Sequence, residues 1–268
     1  MALSSSSKSR SQESWRGGSG AGAEAALAVN DRARRPTARR GLVTLAILRI
    51  AGMMMYGLVM ADVRTPLTTG PDGRPRCPWG ASSPDYVAYH DEEWGRPVTD
   101  ERGLYERMVL EGFQSGLSWL TILRKRENFR RAFADFDIET VAGFGKRDVT
   151  RLLNDAGIVR HRGKIEAAIT NARAAAALDV PLAELVWSFA PANARRAPRG
   201  PEDLPAVTAE STALSKELKK RGFRFVGPTT AYAAMQACGL VNDHLAGCWV
   251  REDVEGERAA AVAANPRR

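Results

Sequence analysis

Four residues of metal-binding type stand at the two ends of one stretch of the chain. They are Cys77 and His90, spaced C-x12-H, and His244 and Cys248, spaced H-x3-C and so one helical turn apart. Two thiolates and two imidazoles make a tetrahedral zinc set, and four protein ligands leave no open position for water, so a zinc held there would be structural. It would clamp the ends of a domain together, and closing so long a loop restricts the unfolded chain strongly. Spacing alone describes equally well two buried thiols and two unrelated histidines. The third cysteine, Cys238, lies in the apolar stretch 235–239 and reads as a core thiol. Three cysteines do not make a disulfide framework; reduced thiols or a metal are expected, which suits an intracellular, cytoplasmic protein.

A second constellation is aromatic and acidic. Trp79, Tyr86, Tyr89 and Trp94 fall close together, and Glu111 follows in Leu110-Glu-Gly-Phe-Gln-Ser-Gly-Leu-Ser-Trp119. Aromatics make up only 7% of the chain, so this density is unusual. The bland alternative is a set of core rings with a hydroxyl or indole N–H bonded at the rim. Glu111 follows the apolar run 108–110 and precedes Gly112, Phe113 and Gly116, which makes it a candidate partly buried carboxylate, with an N-cap or surface role as the alternative. Stacking faces plus one buried anion suit a flat, electron-poor, positively charged ring.

The third element spans 214–236. A helix ends in Lys219, Lys220, Arg221 and Gly222, then comes Phe223-Arg-Phe-Val-Gly-Pro228, and a second helix opens with Thr229 and Thr230. This is the form of a helix-hairpin-helix, in which amides at the start of the second helix hold a DNA phosphate and nearby cations add charge. Its DNA-contacting candidates are Lys220, Arg221, Gly222, Gly227 and Thr229. A plain helical hairpin with a cationic last turn reads almost the same way. Arg160-His-Arg-Gly-Lys164 is a second possible phosphate contact or a solvated loop, with His161 exposed or facing DNA rather than bound to metal.

The elements that position these residues are helical almost throughout. After Asp100, a plausible N-cap, Leu104, Met108 and Val109 recur at three- and four-residue spacing and make one apolar face. Further helices are predicted over 116–128, 148–156, 163–178, 182–189, 212–221 and 229–237, with Gly and Pro between them. No stretch alternates apolar and polar residues for long, so an all-α domain of roughly 180 residues is expected, without internal repeats.

The chain of 268 residues is 44% hydrophobic, which excludes disorder throughout, and carries a net charge of +8. Most of that excess lies in the first 70 residues, where Lys8, Arg10, Arg16, Arg32, Arg34, Arg35, Arg39, Arg40, Arg49 and Arg64 face Glu13, Glu24, Asp31 and Asp62. Nucleic-acid binding must therefore be argued from local sites. The domain boundaries read as a disordered or mis-annotated leader over 1–70, a helical domain over 71–250 and a flexible tail over 251–268. Residues 65–75 act as the linker into the domain. Residues 41–61 behind Arg39 and Arg40 could be a membrane anchor or export signal, but Arg49 at mid-span argues against insertion. Met53, Met54, Met55 and Met60 are each possible start sites, so no membrane association is expected.

Taken together, Cys77-Pro-Trp-Gly80, Tyr86-Val-Ala-Tyr-His-Asp-Glu-Glu-Trp-Gly95, the Glu111 segment, Asn154-Asp-Ala-Gly-Ile-Val-Arg-His-Arg-Gly-Lys164, Phe225-Val-Gly227 and Met235-Gln-Ala-Cys-Gly-Leu-Val-Asn-Asp-His244 resemble the bacterial DNA-3-methyladenine glycosylase I family, in order from about Cys77 to Cys248. The resemblance implies an all-helical member of the helix-hairpin-helix glycosylase superfamily. Its structural zinc on Cys77, His90, His244 and Cys248 would join the ends of the domain. It also implies that Glu111, with Trp79, Tyr86, Tyr89 and Trp119, forms the pocket for an extruded methylated adenine. The expected partner is double-stranded DNA containing alkylated adenine, bound by a monomer. Many superfamily members carry a catalytic Asp shortly after the hairpin; Asp243 is the only carboxylate near that place, and beside His244 it reads as a residue that orients the imidazole. No obvious Schiff-base lysine is present, so a monofunctional enzyme is expected. The rival from another class is a non-catalytic DNA-binding module whose aromatic cluster is only core.

Overall fold

The computed structural model describes residues 67–265, and helix follows helix along them. The order is α1 (Pro84–Glu92), α2 (Glu101–Gln114), α3 (Trp119–Ala132), α4 (Ile138–Ala142), α5 (Lys146–Asn154), α6 (Arg162–Ala176), α7 (Leu182–Trp187), α8 (Ala209–Lys220), α9 (Pro228–Ala237) and α10 (Arg251–Ala264). The sequence did not foretell α1 or α4, and it did not foretell a short antiparallel ladder of β1 (Thr68–Thr69) with β2 (Pro75–Arg76). Side chains set the helix starts: Ser83 accepts from the Tyr86 amide, Asp100 from Gly103 and Ser118 from Thr121.

Helix α2 is the centre. The spacing of its apolar residues predicts one buried face, but α3, α6, α7 and α9 all pack on it and every residue from Leu104 to Phe113 is buried. A helix enclosed this way is ordinarily apolar all round. Here Glu106, Arg107 and Glu111 are enclosed too. Glu106 accepts from Arg126 Nε at 2.6 Å, and Arg107 Nη2 donates to Glu93 Oε2 at 2.5 Å. Glu111 has no ion pair among the described residues. This is the physical content of the sequence expectation for Glu111: it is neither a cap nor a surface group, because the helix carrying it has no surface there.

A smaller apolar cluster of Cys77, Leu245, Cys248, Val250 and Val254, with Leu67, Trp79 and Trp249 against it, ties the beginning of the described chain to its end. Two expectations are corrected here. Much of the 65–75 segment is part of the domain rather than a linker, because Leu67 packs on this cluster, β1 pairs with β2, and Arg76 bridges Asp72 and Asp91 at 2.6 and 2.7 Å. Nor is 251–264 a flexible tail. It is α10, with Val254 fully buried and Arg258 donating to the carbonyls of Leu240 at 3.0 Å and Pro191 at 2.5 Å. The leader before residue 67 and the last residues 266–268 lie outside the described residues. Within the described residues no helix is long and apolar enough to cross a membrane.

Helices α8 and α9 form the hairpin. Gly222 takes φ +91°, which favours glycine, and Phe223 and Val226 turn inward. Ser215 Oγ donates to the Val226 carbonyl at 2.6 Å, and Asn171 of α6 bonds both the amide and the carbonyl of Arg224. Arg258→Ala should lower the unfolding free energy by about 2 kcal/mol, since it strands two buried carbonyls. The melting midpoint should then fall by several degrees while the helical circular dichroism of the folded state is kept; an unchanged midpoint would return α10 to the status of a loose tail.

Candidate active site and metal cluster

The four metal-type residues meet. Cys77, His90, His244 and Cys248 are all buried, and their ligand atoms lie within 4.8 Å of one another. Cys248 Sγ is 3.5 Å from His90 Nε2 and 3.6 Å from His244 Nδ1, and Cys77 Sγ is 3.8 Å from the same Nδ1. The outer nitrogens face acceptors: His90 Nδ1 is 2.8 Å from Asp91 Oδ1, and His244 Nε2 is 3.0 Å from the Trp94 carbonyl. Both rings therefore donate outward and keep their lone pairs toward the sulfurs, the tautomers a metal requires. Hydrogen bonding from Cys77 holds the Cys248 thiol below its usual range, while the same bond pushes Cys77 up. Gly80 seats the His90 ring, since a Cβ there would lie 2.4 Å from His90 Cδ2.

The carboxylate that orients a histidine of the cluster is not the one the sequence suggests. Asp91, held by Arg76 and by Trp249 Nε1 at 3.1 Å, orients His90. Asp243 does not orient His244; it accepts from Tyr232 Oη at 2.5 Å and from Gln236 Nε2 at 2.9 Å.

The aromatic wall is built directly on this cluster. Trp79 meets His90 edge to face at 5.2 Å between ring centroids, and Trp94 meets His244 at 4.7 Å. Trp79 also packs on Tyr86 at 5.6 Å and Trp94 at 5.0 Å, and Tyr89 on Trp119 at 5.3 Å. Tyr86 Oη accepts from the Leu120 amide at 3.1 Å, which pins the start of α3 to α1. These rings enclose a pocket of about 220 Å³. That is below the range of drug-sized sites and suits one flat ring system. Glu111 stands on its wall. Burial drives the Glu111 carboxyl up to about 8, with Arg107 opposing this only in part. Arg107 is committed elsewhere, to Glu93 and to the Tyr89 ring, 5.7 Å from its Cζ.

A family description, methyladenine glycosylase, matches residues 79–252. The chain belongs to the methyladenine glycosylase family. It is similar to DNA-3-methyladenine glycosylase 1 of Escherichia coli (strain K12), 52% identical over 181 residues that cover 65% of this chain and 95% of that protein. The corresponding Haemophilus influenzae enzyme is 45% identical over 179 residues, 65% of this chain and 96% of that protein. A crystal structure of 3-methyladenine DNA glycosylase I superposes with a TM-score of 0.63 at 51% identity, covering 65% of this chain and 98% of the other. The Staphylococcus aureus enzyme, solved to show how it recognises 3-methyladenine, superposes with a TM-score of 0.63 at 36% identity, covering 66% and 96%.

In this member of the methyladenine glycosylase family Glu111, Trp79, Tyr86, Tyr89 and Trp119 share one pocket, as do Trp94, Gln114, Ala233 and Gln236. Gln114 lies three residues after Glu111 and so shares its helix face, a signal legible in the sequence. Gln236 had only the sign of being an amide on a largely apolar helix. Of the hairpin residues, Gly227 caps α9 with Pro228 at its first position, and Thr229 is exposed. Lys220 is exposed, and Arg221 forms surface ion pairs with Glu217 at 2.7 Å and Asp179 at 2.5 Å. Lys164 is not a phosphate contact: it is buried, and its Nζ donates to the carbonyls of Phe113 at 2.8 Å and Ser115 at 2.6 Å, closing the end of α2. Cys238 is a core thiol whose burial pushes it up to about 12.

A carboxyl raised from 4.5 to about 8 binds its proton more tightly in the folded state, so its burial costs nothing below pH 4.5 and progressively more up to pH 8. Glu111→Gln should therefore gain stability over wild type between pH 5 and pH 8.5, by an amount on the order of a few kcal/mol in denaturant titrations. Parallel stability curves for the two proteins across that range would contradict the burial assigned to this group.

Proposed function

We infer that this protein is a DNA repair glycosylase that takes 3-methyladenine out of alkylated double-stranded DNA and hydrolyses its N-glycosidic bond, leaving an abasic site. The observation that carries this is the Glu111 carboxyl, buried without an ion pair among the described residues on the wall of an aromatic pocket of about 220 Å³. The relatives named DNA-3-methyladenine glycosylase and the structure of a variant enzyme in complex with 3-methyladenine support the same substrate.

The chemistry follows from the charge. Methylation at N3 makes adenine a cation and a good leaving group, so little acid catalysis is required. Extrusion costs a few kcal/mol of stacking, least for a damaged base. Trp79, Tyr86, Tyr89 and Trp119 restore stacking, and Glu111 supplies the anion that the cation and its exocyclic amine meet. Arrival of the cation favours ionisation of Glu111, as an opposite charge at short range always does. The C1′–N9 bond then breaks, its electron pair leaving with the now neutral base, and water adds to C1′ of the oxocarbenium-like sugar and gives up its proton to solvent. No lysine lines the pocket among the described residues, and Lys164 is tied to two carbonyls, so no Schiff base forms and the strand stays intact.

The α8–α9 hairpin serves as the helix-hairpin-helix element: amides at the start of α9 lack helical partners and face a DNA phosphate, with Gly222, Gly227 and Thr229 at the contact and Lys220 adding charge. Cys77, His90, His244 and Cys248 hold one zinc, which supplies cross-linking rather than catalysis because all four positions are taken by protein. Because Trp79 and Tyr89 lie two and one residues from ligands, that clamp fixes the pocket wall.

Base release from methylated duplex DNA, followed by chromatography, tests the function. Wild type should release 3-methyladenine and leave 7-methylguanine in place, and Glu111→Gln should be slower by at least about 100-fold while folded, the scale of a lost transition-state charge contact. No release from folded, metal-loaded protein would leave a DNA-binding module as the better account. Metal analysis should find one zinc per chain and none in the Cys77→Ser, Cys248→Ser double variant, whose pocket tryptophans should also become accessible to quenchers; a zinc-free wild type with full pocket order would contradict the clamp.

A further inference from the structure

Resting on the glycosylase function above, we propose that Gln236 sets the selectivity of the pocket for adenine over guanine among methylated bases, with Asp243 and Tyr232 as the positioning residues that aim it. Gln236 stands on the pocket wall near the end of α9. Its Nε2 donates to Asp243 Oδ2 at 2.9 Å, the same oxygen that receives the Tyr232 hydroxyl at 2.5 Å. Arg195 Nη1 in turn donates to Tyr232 Oη at 2.8 Å and lies 3.7 Å from Asp243 Oδ1.

A carboxylate only accepts, so the Gln236 amide meets it through its NH₂ and not its oxygen. The other end of the planar amide, Oε1, is turned away from Asp243, and no described residue donates to it. Tyr232 and Asp243 are 2% and 3% exposed, so water does not loosen the chain of bonds that fixes this orientation. The pocket therefore offers the Glu111 carboxylate and, fixed in orientation by its neighbours, Gln236 Oε1 as acceptors.

Adenine carries at C6 an amine with two donors, and guanine carries there a carbonyl acceptor. Each amine hydrogen of a methylated adenine has its own acceptor in this pocket. A methylated guanine would set its oxygen against both and leave buried groups unpaired. A site built to accept from an N–H rejects an analogue lacking it far more strongly than apolar packing can. Stacking and the Glu111 charge do not distinguish the two bases, since both are flat and cationic when methylated at N3; the fixed amide does.

The test is equilibrium binding of free 3-methyladenine and free 3-methylguanine to the intact protein, read by quenching of the pocket tryptophans. Wild type should prefer 3-methyladenine. Gln236→Leu keeps the bulk and removes the acceptor. It should weaken 3-methyladenine about tenfold without weakening 3-methylguanine, so that the ratio of affinities narrows by about that factor. Asp243→Asn allows the Gln236 amide to turn over and should narrow the ratio in the same direction, with Tyr232→Phe as the milder variant if the first does not fold. Metal content and melting midpoint, measured on each variant, separate loss of fold from loss of selectivity. Equal weakening of both bases, or an unchanged ratio in folded Gln236→Leu, would overturn the assignment. A folded wild type that binds neither base and releases none from DNA would overturn the glycosylase function itself, and the assignment with it.

Discussion

One carboxyl group held out of water without a cation of its own sets the terms for this structure. Glu111 lies on α2, the helix enclosed by α3, α6, α7 and α9, and burial raises it to about 8. The other buried carboxylates near it are satisfied: Glu93 would be raised by its own burial, yet Arg126 and Arg107 hold it low, and Glu106 takes Arg126 and Arg130. Such pairing is what usually makes buried charge tolerable. It also ties the nearby arginines to other carboxylates, leaving Arg107 only a partial pull on Glu111, so the remaining countercharge must arrive through the pocket. A methylated purine brings that charge; an unmodified one does not.

The rings of the pocket depend on the Cys and His cluster in a way that covalent neighbourhood makes plain. Trp79 follows Cys77 by two residues and Tyr89 precedes His90 by one, while Trp79 and Trp94 lie edge-on against the ligand histidines. The pocket wall is thus the outer face of the clamp. Asp91 and the Trp94 carbonyl fix the histidine tautomers from outside, and Arg76 fixes Asp91. Order in the clamp and order in the wall are one property, which explains why the N-terminal ladder and α10 at the far end of the chain both belong to the domain.

Much of this was legible in the residues. The four Cys and His residues that meet, the aromatic density before Glu111 and the hairpin signals around Gly222 and Pro228 are local patterns, and the helix start at Asp100 obeys ordinary capping. What was not legible depends on tertiary contacts. Periodicity gave α2 one apolar face because it cannot see how many helices will cover a helix. Lys164 and Arg221 read as free cations because nothing near them in sequence announces the carbonyls of Phe113 and Ser115 or the carboxylate of Asp179. Asp243 beside His244 suggested support for the ligand, but its side chain turns to Tyr232 and Gln236, a choice made by the packing of α9. The segment 251–264 looked frayed from its Ala and Arg content, and only the position of Leu240 and Pro191 gives Arg258 its partners.

The central claim is that Glu111 is an uncompensated buried acid until a cationic base enters. Its most direct test is a carbon NMR titration of the Glu111 carboxyl in the folded protein, its signal assigned by its absence in Glu111→Gln, with the pocket empty and then saturated with the 3,9-dimethyladeninium cation, which keeps the positive charge that the free base loses on release. The structure predicts a midpoint near pH 8 when empty and a displacement to lower pH when the base is bound. A midpoint near the ordinary glutamate value in the empty protein, unmoved by the base, would contradict it.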